Sequence, residues 1–298
     1  MRWHGRRGSA VQKSPDLGRR LVAEMIGTAL LVIFGAGAVV AALKVGSGKL
    51  DYAGLGIVGI SFALVIAIVI YAFGSTSGAH INPAVTLSLA LTRRFPWIEA
   101  TPYIASQLVG ALGGGVVLVA IFGRGAVDLN DTGGTVIGAG FTQVQAAVAE
   151  GLGTFLLVAT IMALAVDRRA PAGFAGLVIG LAVACEIMVI GPISGGSVNP
   201  ARTFGPDLTT SIFGGSPAWD DFWVYVAGPL AGGAFAAVVY EFVARPGREE
   251  TPAAHGASGT VEGRRMAPGE ALPAVEPGGS SGRGRAQGAG GDTGGRRD

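Results

Sequence analysis

Two Asn-Pro-Ala triplets, Asn82-Pro83-Ala84 and Asn199-Pro200-Ala201, stand in otherwise apolar sequence long enough to cross a membrane. Asn favours a helix N-cap and Pro the first helical position, so each triplet predicts a helix start. Inside a bilayer, a helix start directs unpaired backbone N–H groups and the positive end of a dipole at its surroundings. Hydrocarbon cannot satisfy those donors, so such backbone has to face a cavity or other protein. The side-chain NH₂ groups of Asn82 and Asn199 add donors at the same depth. The pair therefore predicts a polar path in which a passing water or hydroxyl is held by its oxygen. Hydrogens of a water held that way turn outward in both directions, which breaks a proton-conducting chain. The two positive helix ends reinforce the barrier to cations.

Four charged side chains fall in the same apolar sequence: Glu24, Glu150, Glu186 and Arg202. Intramembrane charge is costly, so each needs a partner. Arg202 keeps its charge and presents several donors, which suits it to replacing the lost hydration of a neutral, oxygen-rich solute while repelling cations. The strings Gly78-Ala79-His80-Ile81 and Gly195-Gly196-Ser197-Val198 precede the triplets and predict a ladder of carbonyl acceptors leading to the midplane. Glycine supplies backbone shapes that bulkier residues resist. His80 reads as structural rather than as a titrating gate, and Cys185 as a small apolar helix residue. No nucleophile–base arrangement, phosphate loop or metal-ligand spacing is present, so neither an enzyme, a metal site nor a cofactor is expected.

The elements that must position these residues follow from composition. The chain is 50% hydrophobic and 14% charged with 51 glycines, the balance of a multispanning membrane protein. Six apolar runs, near 21–43, 53–73, 98–122, 143–166, 173–191 and 222–243, are each long enough for roughly 30 Å of hydrocarbon. The first is too long for a signal-peptide core. A segment from Pro83 to Thr92 would reach only about 15 Å before Arg93-Arg94, a half-span. Basic residues cluster before the first run, after the last, and at Arg93, Arg94, Arg168 and Arg169, which places both termini in the cytoplasm of a cell (inner or plasma) membrane. The net charge of +2 thus reports topology, and no nucleic-acid partner is expected. Residues 1–17 and 245–298 are expected to be disordered tails around a membrane domain at 18–244.

The two halves, about 20–125 and 143–244, resemble each other. Ala23-Glu24-x-x-x-Thr28 matches Ala149-Glu150-x-x-x-Thr154, Ser77-Gly78 matches Ser194-Gly195, and Gly110-x-x-x-Gly114 is paired with Gly228-x-x-x-Gly232, at separations of 126, 117 and 118 residues. Three spans per half make the repeats inverted, so the half-helices meet N-terminus to N-terminus. These Gly-x-x-x-Gly pairs, with Gly176/Gly180, suit either oligomer contacts or close packing inside one bundle.

With both triplets, both Ala-Glu openings and Arg202 three residues after Asn199, the chain from about residue 20 to 244 resembles the major intrinsic proteins, the aquaporins and aquaglyceroporins. The resemblance implies an all-α bundle of six tilted transmembrane helices and two re-entrant half-helices, assembled as a homotetramer with one pore per subunit. It implies that Glu24 and Glu150 support the re-entrant loops, and that Phe62, Ile187, Gly196 and Arg202 form a selectivity filter. The Gly191-Pro192 turn supports Ile187, though a slip of one residue would substitute Glu186 or Met188. Strict water channels usually have His where Ile187 stands, so the implied filter is wider, with a greasy wall facing one donor. Glycerol, urea and neutral metalloid acids suit it, and the stretches around Asn82 and Arg94-Phe95-Pro96-Trp97 look like the nodulin-type branch. Thr203 and Tyr225-Val226 depart from the Asp and Pro-Leu usual in glycerol facilitators. The expected function is a passive channel for water and small uncharged solutes. A strict water channel and a proton-coupled transporter built on the same inverted repeats are the alternatives.

Overall fold

A computed structural model describes residues 15–244. The tails expected to be disordered lie outside the described residues, except that Asp16 caps the first helix and Leu17 opens it. Among the described residues the fold is helical throughout. Six helices are long and apolar enough to cross a membrane: Leu17–Val45, Tyr52–Ser77, Trp97–Phe122, Gln143–Val166, Ala175–Ser194 and Trp219–Ala244, here spans 1 to 6. Two short helices, Pro83–Leu91 and Pro200–Ile212, are the half-helices that the triplets predict.

Several helices run past their apolar cores because polar residues cap them. The Asp16 carboxylate accepts from Arg19 N at 2.9 Å and that of Asp51 from Gly54 N at 2.6 Å. Thr142 and Gln145 form a reciprocal capping box at the start of span 4. Gly191-Pro192, expected to be a turn, lies inside span 5, which continues to Ser194. Proline removes only the bond from its own nitrogen. The next turn still closes, with Gly195 N donating to Gly191 O at 2.9 Å, and the chain leaves the helix at Gly195, where φ is +83°.

Small residues bring the helices together, and every Gly-x-x-x-Gly pair is used inside the bundle. Gly110 lies on the Met25 carbonyl, and a Cβ at Gly114 would stand 2.7 Å from the Ala29 oxygen, so span 3 nests on span 1. On the other side, a Cβ at Gly228 would stand 2.6 Å from the Ala147 oxygen, while Gly232 lies on the Gly151 carbonyl. Gly176 faces the Tyr71 ring, and Gly180 packs on the Ala63 carbonyl. These contacts correct one register. Met25 and Gly151 are equivalent by the offset of Glu24 and Glu150, so Gly110 corresponds to Gly232 rather than to Gly228. Repetition of glycine every four residues hid a slip of one helical turn.

Replacing Gly232 by Val forces overpacking, which costs about 1–3 kcal/mol. Gly232→Val is expected to lower the thermal unfolding temperature in detergent, whereas Gly113→Val, whose Cβ meets nothing within 4 Å, leaves it unchanged.

Candidate functional site

The site is built on two loops that carry the chain from spans 2 and 5 into the half-helices. Each makes the same unusual path. Gly78, Ala79 and Ile81 have φ of +92°, +48° and +44°; Gly195, Gly196 and Val198 have +83°, +60° and +46°. Left-handed backbone at a β-branched residue is strained, by about 1–3 kcal/mol, and persists only where the surroundings over-determine it.

A carboxylate supplies that determination in each repeat. Glu24 accepts from His80 N at 2.9 Å, Ile81 N at 2.7 Å, Ser77 Oγ at 2.7 Å and Gln107 Nε2 at 2.8 Å. Glu150 accepts from Ser197 N at 2.9 Å, Val198 N at 2.6 Å and Ser194 Oγ at 2.7 Å. Both glutamates are fully buried. Tyrosines brace the loop entrances: Tyr103 Oη donates to Ser77 O and Tyr225 Oη to Ser194 O, both at 2.9 Å. Thr203 links Ser197 Oγ at 2.6 Å to Thr135 Oγ1 at 2.9 Å. The two departures at Thr203 and Tyr225 thus both lie in the support of the second loop.

The half-helices meet through their caps. Asn82 Oδ1 accepts from Ala84 N at 2.8 Å, and Asn199 Oδ1 from Ala201 N at 3.0 Å. Their amide nitrogens cross over: Asn82 Nδ2 donates to Val198 O and Asn199 Nδ2 to Ile81 O, both at 2.8 Å. An Asn amide has two hydrogens, so each cap keeps one donor beyond the cross-link. The Ile81 and Val198 carbonyls, expected in the acceptor ladder, are the ones that receive these bonds. Each strained residue is therefore gripped at its N–H by a glutamate and at its carbonyl by the opposite asparagine.

A narrow cavity of about 60 Å³ runs along this junction. Gly78 to Asn82 and Ser197 to Asn199 form its polar side, and Leu31, Ile66, Ile70, Leu157, Ile161 and Ile179 are among its apolar walls. Phe62 and Arg202 also line it, with Arg202 Cζ 5.1 Å from the centroid of the Phe62 ring. Arg202 Nη1 donates to Gly133 O at 2.9 Å, and its buried Nε has no protein partner among the described residues. Ile187 and Gly196 are not in this lining. They pack on each other, with Ile187 Cγ1 3.2 Å from where a Gly196 Cβ would stand. Gly195 is likewise outside the lining, and Cys185 is exposed on the outer surface of the bundle. His80 lines the cavity but is fixed: Nδ1 lies 3.2 Å from Thr86 Oγ1, and its ring packs against Phe95 and Tyr103.

Sequence reasoning missed Gln107, Tyr103, Tyr225 and the Gly133 carbonyl. The tyrosines carried a signal, since the corrected register that matches Gly110 with Gly232 also matches Tyr103 with Tyr225. Gln107 has no such echo, because that register places Pro229 opposite it. Glu186, expected to need a partner, is buried, and neither carboxylate oxygen has a hydrogen-bond partner among the described residues. The offset of Ser77 and Ser194 matches Glu186 with Val69. Both sit against the matching glycines, Gly153 and Gly27, so a carboxylate occupies an apolar slot of the other repeat.

The family model described as Major intrinsic protein matches residues 11–240. The chain is 45% identical over 241 residues to "Aquaporin AqpM" of Methanothermobacter marburgensis, a match that covers 76% of this chain and 98% of the relative. It is 37% identical over 254 residues to "Probable aquaporin NIP4-2" of Arabidopsis thaliana, covering 83% and 84%. The solved structure of the aquaglyceroporin from Plasmodium falciparum superposes with a TM-score of 0.67 at 22% identity, over 78% of this chain and 98% of that one, a likeness of fold.

Removing the Glu24 carboxylate strands the buried His80 and Ile81 N–H groups, at about 1–3 kcal/mol each. Glu24→Ala is expected to lower the unfolding temperature in detergent sharply. Glu186→Val, which copies Val69 of the first repeat, should keep or raise it; earlier unfolding of that variant would mean the carboxylate has a partner after all.

Proposed function

Since the chain belongs to the major intrinsic protein family and is a passive membrane channel for water and small solutes, we propose that the Asn-capped junction and the Phe62/Arg202 pair form its selective path. The observation that carries this reading is the reciprocal Asn82–Val198 and Asn199–Ile81 bonding beside a cavity lined by Phe62 and Arg202. One amide hydrogen of each Asn is committed to the opposite loop, and the other is free to hold the oxygen of a passing molecule. Two donors on one oxygen turn its hydrogens away from the junction, and the facing positive helix ends repel protons and cations. Arg202, steadied by Gly133 O, offers its remaining donors to a neutral solute whose carbon side slides along Phe62. Glu24 and Glu150 hold the loops and take no part in transport.

The solutes proposed are water with glycerol, urea or neutral metalloid acids, and the reading is of a channel, not an enzyme. A strict water channel is the second reading, suited to a cavity of only about 60 Å³. The channel domain is 18–244, with repeats at about 20–125 and 143–244. An even number of spans puts its two ends on one side, and the basic residues make that side cytoplasmic in a cell membrane. A homotetramer is proposed on the family resemblance.

Proteoliposomes challenged with an impermeant osmolyte and then with glycerol test this by stopped-flow light scattering. Rapid shrinkage followed by re-swelling is expected, and Arg202→Val should admit solutes less selectively. Rapid shrinkage without re-swelling would select the strict water channel.

A further inference from the structure

We infer that Gly35, within a widened turn of span 1, is the positioning residue for the Phe62 ring and thereby sets the width of the path at Arg202. The inference rests on the reading of Phe62 and Arg202 as the filter. Between Leu31 and Ala36 span 1 changes from α- to π-helix, a local widening often found at functional sites. Ser61 Oγ donates to Phe34 O at 2.7 Å, so the turn is pinned to span 2 one residue before Phe62. Gly35 then lies against the edge of the ring. A Cβ there would stand 2.6 Å from Phe62 Cδ1 and 2.8 Å from Cζ, with Cε1 nearer still. The ring is only 3% exposed, it lies beneath the Arg202 guanidinium, and it lines the cavity. A side chain at residue 35 meets this ring first, and displacing the ring moves a wall of the cavity.

The inverted repeat supplies independent support. The offset of Glu24 and Glu150 carries Gly35 onto Ile161, and the offset of Ser77 and Ser194 carries Phe62 onto Ile179. Ile161 and Ile179 both line the cavity. The second repeat fills this place with two medium side chains, and the first with one large ring and no side chain. Such a volume-conserving exchange is what a close-packed interior tolerates. The absence of a side chain at Gly35 is thus the complement of the ring at Phe62.

The test compares Gly35→Ala, Phe62→Leu and the double variant in proteoliposomes, with water permeability normalised to incorporated protein and with glycerol and urea re-swelling recorded. Gly35→Ala is expected to lower water permeability about tenfold, a barrier increase of about 1.4 kcal/mol. Phe62→Leu should change the order in which solutes pass, and the double variant should return to within about twofold of Phe62→Leu, since contacting residues are non-additive. A folded Gly35→Ala protein with unchanged permeability overturns the inference, as does a double variant no better than Gly35→Ala. If Gly35→Ala fails to fold, recovery of folded protein in the double variant supports the contact and lack of recovery overturns it. Phe62→Leu with water and solute passage both unchanged would overturn the filter reading itself.

Discussion

Backbone that leaves a helix inside a bilayer must find every hydrogen bond within the protein, and the rest of this structure depends on how that is done. Two loops break off at mid-depth, and each contains a β-branched residue in left-handed conformation. Free peptide groups there would favour unravelling. A buried glutamate takes two successive N–H groups in each repeat, and the opposite asparagine takes the carbonyl that follows. The strain is held from both sides, so the junction stays open as a defined path rather than collapsing.

The two repeats solve this problem alike at the backbone and differently around it. Glu24 has Gln107 as a fourth donor, which also bonds Thr86; among the described residues Glu150 has no counterpart to it. The second loop is tied instead through Thr203 to Thr135 and Ser197. Arg202, anchored on Gly133, has no basic equivalent in the first repeat, where the same offset falls on Val85. The pseudo-symmetry supplies the supports of both loops, and it is broken at Arg202.

Much of the fold was legible because its causes are local. Apolar runs of membrane length give spans, and Asn-Pro gives a helix start whatever lies beyond it. The Ala-Glu and Ser-Gly strings repeat at similar offsets, which shows the duplication, and three spans in each half invert it. Less legible were features that need three dimensions. On spacing alone Gly110 pairs with Gly228, because glycines one turn apart read alike until their partners on span 1 and span 4 are known. Gly191-Pro192 read as a turn, although a helix can carry proline where its missing donor is tolerated. At the candidate site, Asn82, Asn199, Phe62 and Arg202 fall together around one cavity. Ile187 and Gly196, placed by counting back from Asn199, pack on each other. Cross-loop bonding by the Asn amides was invisible, since nothing in either triplet says which carbonyl faces it.

The central claim is that solute crosses passively through the junction of the two half-helices. Its most direct test is the osmotic water permeability of proteoliposomes measured with and without an imposed proton gradient. The account predicts shrinkage well above that of protein-free liposomes, at the same rate in both conditions. Shrinkage no faster than in protein-free liposomes, or a rate that follows the gradient, would contradict it.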